Sequence, residues 1–496
     1  MTMHTFELEP SREAVSLPER YANHPLATLE TYKYFNQSSE EFKESREKFI
    51  DAVVDGLEMD APTFEYPKIN IDELMVFRDQ LTEMLSEFPN DKELNVAERI
   101  TRDNITNRLD EVSIMLMTKM QSELSIDDPR YEAVSAQLGI NMQEVYGVPN
   151  AEHFRGVLGY RLSKIQDSFE ILTDTPQSVV DALSYVRSIL PKDLPVQKPK
   201  ELNPEAASWY AAQLDERVRS GMDAVNAAIS RGEITLDDEG KLDAQNIIYA
   251  TRIILDIRGA SRWNVVQTKD ANIDTNQTDL VIYVPESRKM SLSEFDAVMV
   301  CHEVDEHVMR RENGDASGIP EIGGTDAHGY LAKEEGNGKI NEALRKGKLS
   351  LEASAFGFFL SGGLILGLDR EGRGRNMRET TEIVWRLNFI EDYLKSRHDG
   401  SQQSVRNAVD KATTHLTRLF RGTDGKVPGV AFTKDSKTYY EGSADVIDKW
   451  HNDMTLTEDQ RKSAHMIERA AKYDITRREH SDFVEKVFSH QPYNIG

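Results

Sequence analysis

The sequence predicts a predominantly helical α+β fold. Three observations lead there: apolar residues recur at helical spacing through much of the 496-residue chain, short runs rich in β-branched residues interrupt that pattern in one region, and no internal repeat or low-complexity tract is present. Residues 1–60 are rich in Glu and Ser, with weak periodicity, and read as an acidic, loosely docked lead-in. Residues 61–200 read as a helical N-terminal region. From Ile71 to Glu123, the positions Leu74, Phe77, Leu81 and Leu85, then Ile105, Leu109, Val112 and Met115, mark core faces at helical spacing. A further helical run follows Pro176, after which Pro191, Pro195, Pro199 and Pro204 exclude a continuing helix and mark the best linker in the chain.

Glu205 to Ser230 then reads as a helix. Trp263 to Gln267 and Leu280 to Val284, the second stopped by Pro285, read as strands of a small sheet. Ser291 followed by Glu294 has the spacing of a capping box and Asn313-Gly314 supplies a stop, so one helix is expected from Leu292 to Glu312. Ile383, Leu387, Ile390 and Leu394 mark another amphipathic helix, and residues 451–496 read as a C-terminal helical extension.

Composition narrows the function. The chain carries 60 Lys plus Arg against 85 Asp plus Glu, a net charge of −25, which repels phosphate backbones and anionic lipids and argues against nucleic acid or membrane as a partner. The single cysteine, Cys301, makes no intrachain disulfide and excludes a thiolate-rich zinc or iron–sulfur site. Met1 to Pro10 does not read as a secretory signal, and the apolar stretch Phe356 to Leu368 is too short and too glycine-rich to span a bilayer. A cytoplasmic protein is the expectation.

The chemistry concentrates in Val300-Cys301-His302-Glu303-Val304-Asp305-Glu306-His307. Two imidazoles and an adjacent carboxylate on one element are what a mononuclear zinc hydrolase needs: two nitrogen ligands and a base beside them. The histidines are five apart, however, which on a regular α-helix separates them by about 140° and points them to different sides. A π-type turn, with its i→i+5 hydrogen bond, brings them back to one face, so a local widening is predicted between His302 and His307. Downstream, Tyr330 to Glu342 is a probable helix with two interior glycines, which suggest close packing on another element, and with Glu334 or Glu335 available as a third ligand. Asp326 and His328 lie between the two motifs, in a stretch that reads as a turn-forming loop and secondarily as a source of ligand orienters. Cys301 reads as a buried free thiol rather than a nucleophile.

Behind His302-Glu303 and His307 come Arg310, Asn313-Gly314, Glu335-Gly336, Arg421-Gly422, Phe432-Thr433-Lys434-Asp435 and Tyr439-Tyr440-Glu441-Gly442. In this order the motifs resemble those of the zinc carboxypeptidases that include the microtubule-associated tyrosine carboxypeptidase, with bacterial relatives named for a Gln-Glu-Gly-Leu-Ala motif. The resemblance runs from about Trp263 to Gly442. It implies a zincin-like metallopeptidase core over 201–450, Zn2+ as cofactor, His302, His307 and Glu335 as its ligands, and Glu303 as general base. Three departures stand out: Asn337-Gly338 replaces Leu-Ala, Asp305 and Glu306 replace small or neutral residues, and the interval from Lys434-Asp435 to Tyr439 is one residue longer.

The expected activity is zinc-dependent peptide hydrolysis, most simply by a carboxypeptidase removing a C-terminal residue, tyrosine or another aromatic, from a peptide or protein tail. Tyr439 or Tyr440 would donate to the oxyanion, Tyr439 being preferred. Arg310, Arg418, Arg421 and Lys434 are the candidates to bind the terminal carboxylate. The alternatives are a binding protein without turnover and a zinc amidohydrolase acting on a non-peptide substrate. Glu303, Asp305, Glu306, Glu334 and Glu335 are expected to crowd the metal, which favours a dication and predicts a neutral or basic tail.

Overall fold

Side-chain caps and apolar stripes set where the helices begin and what they bury. The computed structural model describes residues 16–27, 31–37, 39–90, 93–169, 174–269, 272–323, 329–349, 353–370, 372–474 and 477–488, and it is predominantly helical with five short strands among these residues. The stretch from Ile71 to Glu123 forms two helices. Ile71–Ser86 ends ahead of Pro89, and Val96–Glu123 restarts at a capping box in which Asn95 accepts from the Glu98 N–H and Glu98 accepts from the Asn95 N–H. Leu74, Leu81, Ile105, Val112 and Met115 are buried as their spacing predicted.

Two expectations change. The second half of the lead-in is docked: Ser39 caps a helix, Glu40–Asp55, whose Phe42, Phe49, Ile50 and Val53 lie in the main core beside Phe35, while residues 1–15 lie outside the described residues. The charged outer face of that helix hid its inner stripe. Nor is the proline-rich stretch a free linker. It is an extended strap on the helix Ala151–Phe169, where Gln197 N–H donates to the Gly156 carbonyl at 2.9 Å, and it leads into the helix Pro204–Ser230.

The strands are few and positional. β1 (Lys241–Leu242) pairs antiparallel with β5 (Met290–Ser291), while β2 (Asn264–Thr268), β3 (Asp274–Asn276) and β4 (Val281–Pro285) form a sheet of order β2-β4-β3. β2 runs parallel to β4, with Val265 opposite Ile282, and β3 antiparallel to it, with Thr275 opposite Ile282. β5 feeds straight into the next helix, where the Ser291 hydroxyl accepts from the Glu294 N–H at 3.1 Å. That helix, called the metal helix below for the candidate ligands His302 and His307 that it carries, runs from Leu292 to Ala316, past the expected stop at Asn313-Gly314.

Buried apolar side chains gather in three clusters. The largest joins the N-terminal helices to residues 340–454, a second surrounds the sheet and the metal helix over 214–309, and a small one sits under Tyr473 and Phe488. A crossing helix, Tyr330–Arg345, packs on the metal helix with one face and on the helix Tyr440–Asp453 with the other. On that second face Gly336 meets Gly442 so closely that a Cβ at 336 would lie 2.5 Å from the Gly442 carbonyl. Among the described residues no helix is long and apolar enough to cross a membrane.

Candidate metal centre

The expected widening of the metal helix is present, and it is long: Asp296–Val308 is π-helical. The wider turn carries His302 and His307 to one side, with their Nε2 atoms 3.1 Å apart and ring centroids 5.0 Å apart. The crossing helix brings Glu335 to the same point, its two oxygens 3.3 Å from His302 Nε2 and 3.7 Å from His307 Nε2. A tetrahedral zinc ion with bonds of about 2.0–2.2 Å keeps its ligand atoms roughly 3.3–3.6 Å apart, so this donor set has the right chemistry and nearly the right spacing. It is the one cluster of His, Cys, Asp and Glu among the described residues with ligand atoms this close.

Each ligand ring is oriented from behind by a carboxylate of the crossing helix. His302 Nδ1 lies 2.5 Å from Glu342, which also accepts from Lys339 at 2.7 Å; His307 Nδ1 lies 2.5 Å from Glu334, which also accepts from Gln277 at 2.9 Å. An Nδ1–H directed at a carboxylate leaves the Nε2 lone pair for an ion. Glu334 and Glu335 therefore divide the work that sequence left open between them. Glu342 was not anticipated, although Glu335, Lys339 and Glu342 share one helix face at i, i+4 and i+7. Gly338 belongs to this design, because a Cβ there would lie 2.7 Å from His302 Cδ2. The absence of a side chain at 338 thus lets the crossing helix approach His302.

The charges reinforce one another. Burial lowers the proton affinity of His302, as does Lys339, but the hydrogen bonds to Glu335 and Glu342 outweigh both and hold its pKa up at about 10. Burial likewise opposes the rise at His307, which Glu335 and Glu334 nonetheless impose. Burial raises Glu335, and the two imidazoles more than reverse this, to about 2. Without an ion the centre therefore holds protons that a dication would displace.

Around the ligands lies a cleft of about 1990 Å3, onto which Glu303, Tyr439, Arg418, Arg421 and Lys434 all open. Glu303 is fixed from the sheet: Thr275 of β3 donates its hydroxyl to Glu303 Oε2 at 2.7 Å, a contact with no signal in the sequence. Tyr439 accepts from Arg418 Nη2 at 3.3 Å, and burial, with the Glu335 charge, pushes its phenol up to about 12, so it stays protonated. Tyr440 points elsewhere, to His153 Nε2 at 3.1 Å. Arg418 and Arg421 share the buried Asp435 carboxylate, at 3.1 and 3.2 Å, and lie over the rings of Phe358 and Phe432.

Several expected residues are elsewhere. Arg310 does not reach the cleft; one turn beyond His307 it faces the other way, fully buried, with Nε 3.1 Å from Glu306. Asp305 and Glu306 are neutralised away from the candidate centre, since Asp305 is paired with Arg217, Arg258 and Arg469 and Glu306 with Arg310 and Arg469. The charge argument for a neutral or basic tail loses both carboxylates. Cys301 is buried, and burial pushes its thiol up, so it is no nucleophile. Asp326 and His328 lie outside the described residues. No protein family, curated protein or solved structure matches the chain.

Proposed function

We propose that this chain is a zinc-dependent peptide hydrolase with a zincin-like core, acting as a carboxypeptidase on a peptide or protein tail. The observation that carries the reading is the π-helical turn that sets His302 and His307 Nε2 3.1 Å apart beside Glu335. A helix pays for such a register in lost regularity, and it is found frequently at functional sites. Bound by these residues, zinc supplies Lewis acidity, which makes water nucleophilic near neutral pH and polarises a carbonyl.

The chain supplies the rest. Thr275 occupies Glu303 Oε2, leaving Oε1 to accept the proton of attacking water and return it to the leaving amine. The protonated Tyr439 phenol donates to the oxyanion as it develops. Arg418 favours an exopeptidase, because its guanidinium opens on the cleft, bonds the same Tyr439 hydroxyl and, with Nε and Nη2 held by Asp435, presents Nη1 to a terminal carboxylate. Glu303→Gln is the decisive variant. It is expected to keep stoichiometric zinc and lose peptide cleavage by about 10²–10⁴-fold. Zinc absent from the purified wild type would sink the proposal, and screening a C-terminal peptide library would identify the tail.

A further inference from the structure

The back of the metal helix carries a charge cluster that the chemistry at the front does not use. Asp305, between the two ligand histidines and buried, takes three guanidinium groups: Arg258 Nη2 at 2.8 Å on one oxygen, Arg217 Nε at 3.1 Å and Arg469 Nη2 at 2.6 Å on the other. They come from three elements distant in sequence: the helix Pro204–Ser230, the residue that caps Ala244–Ile257, and the last residue of the helix Glu458–Arg469. One guanidinium would balance this carboxylate, so three converging from separate helices act as a geometric restraint.

The backbone shows what is restrained. In an α-helix the Met309 N–H would donate to the Asp305 carbonyl, four residues back. It donates to Val304 and Glu306 instead, and the Asp305 carbonyl accepts from Arg469 Nη2 at 2.7 Å. Arg469 also pairs with Glu306. The helix Glu458–Arg469 thus grips, through one side chain, the carbonyl that α-helical pairing gives up when the turn widens.

We propose that Asp305 and its arginine clamp, Arg469 foremost, are positioning residues of the metal centre, holding the turn between His302 and His307 in the five-residue register that lets both rings meet one ion. Its functional consequence rests on the metal reading above; the register itself does not.

The test uses the full chain with Arg469→Met and Arg469→Lys, and Arg375→Met as control, since Arg375 and Asp369 form a comparably buried bidentate pair outside the metal helix. Zinc affinity is read by competition with a chromophoric chelator, ligand geometry by the visible bands of the cobalt(II)-loaded protein, stability by thermal unfolding, and the register by metal-free crystal structures. Arg469→Met is expected to move the histidine Nε2 atoms apart, weaken zinc about 10- to 100-fold and change the cobalt bands, with Arg469→Lys intermediate. Arg375→Met should lower the unfolding midpoint and leave zinc affinity alone. If both Arg469 variants keep the π-turn and bind zinc within twofold of wild type, the clamp is only structural and the proposal is overturned. Should Arg469→Met fail to fold, Arg469→Lys decides. If the wild type binds neither metal yet the metal-free variant relaxes to an α-turn, the metal reading fails and the clamp stands.

Discussion

Glu342→Gln isolates the charge behind His302. The carboxylate sits 2.5 Å from His302 Nδ1, which puts it roughly 6.5 Å from an ion on Nε2 when the Zn–N bond is about 2.0 Å. At an effective dielectric of about 20, each unit charge at that distance interacts by about 2.5 kcal/mol. A dication would lose about twice this, but at neutral pH the ring, with its pKa held up at about 10, already carries a proton that the metal must displace. Glutamine weakens the proton's hold as well as the metal's, so the difference is one unit of charge, about 2.5 kcal/mol, or roughly 60-fold in affinity. Zinc competition titrations at pH 7.5 on wild type and variant measure it directly. A loss smaller than about threefold would refute the carboxylate's part in holding the ion.

Tyr439→Phe is expected to lower kcat by about 10²–10³-fold with zinc affinity unchanged, whereas Tyr440→Phe, which loses the hydroxyl's bonds to His153 and to the Lys200 backbone, should cost about 1–2 kcal/mol of stability and no activity; equal losses of kcat in the two would reverse the assignment. Arg418→Ala should raise KM about 10- to 100-fold for peptides with a free C-terminus and leave C-terminally amidated ones unaffected, and an equal effect on both would remove Arg418 from carboxylate binding. The pKa of His302 rises from 6.5 to about 10 on folding, so its contribution to stability is fully present below pH 6.5 and is lost as pH climbs through 10. The metal-free chain should therefore unfold at progressively lower temperature from pH 7 to 10, and a flat profile there would contradict the pairing of His302 with Glu335 and Glu342.

Local rules made the front of the site legible and left its back illegible. The five-residue spacing of His302 and His307 could only chelate through a wide turn, and that inference needed nothing beyond helix geometry. Choosing between Glu334 and Glu335 needed the direction in which the crossing helix packs, because adjacent helical residues point about 100° apart and either could face the ion. Arg310 is near His307 in sequence, yet its side chain turns to Glu306, four residues back. Asp305 looked like charge at the metal because composition counts carboxylates and not their partners. Those partners, Arg217, Arg258 and Arg469, are 88, 47 and 164 residues away, beyond any local pattern. Thr275 was invisible for the same reason: its contact with Glu303 depends on the register of an edge strand.

The crossing helix explains why these parts come together. With glycine at both 336 and 338, Tyr330–Arg345 gives up about 1 kcal/mol of helix propensity at each position relative to alanine, so its sequence alone is a poor reason for a helix to form there. Both glycines are contact points, Gly336 against Gly442 and Gly338 against the His302 ring, and side chains at either would push the helix off its neighbours. Its stability therefore comes from being sandwiched. Since the same element carries Glu334, Glu335 and Glu342, the third ligand and both carboxylates that orient the histidines arrive in one docking event. A substitution that loosens that sandwich, even at the Gly442 face away from the cleft, should displace all three together, and its effect on zinc affinity should exceed the effect of removing any one carboxylate.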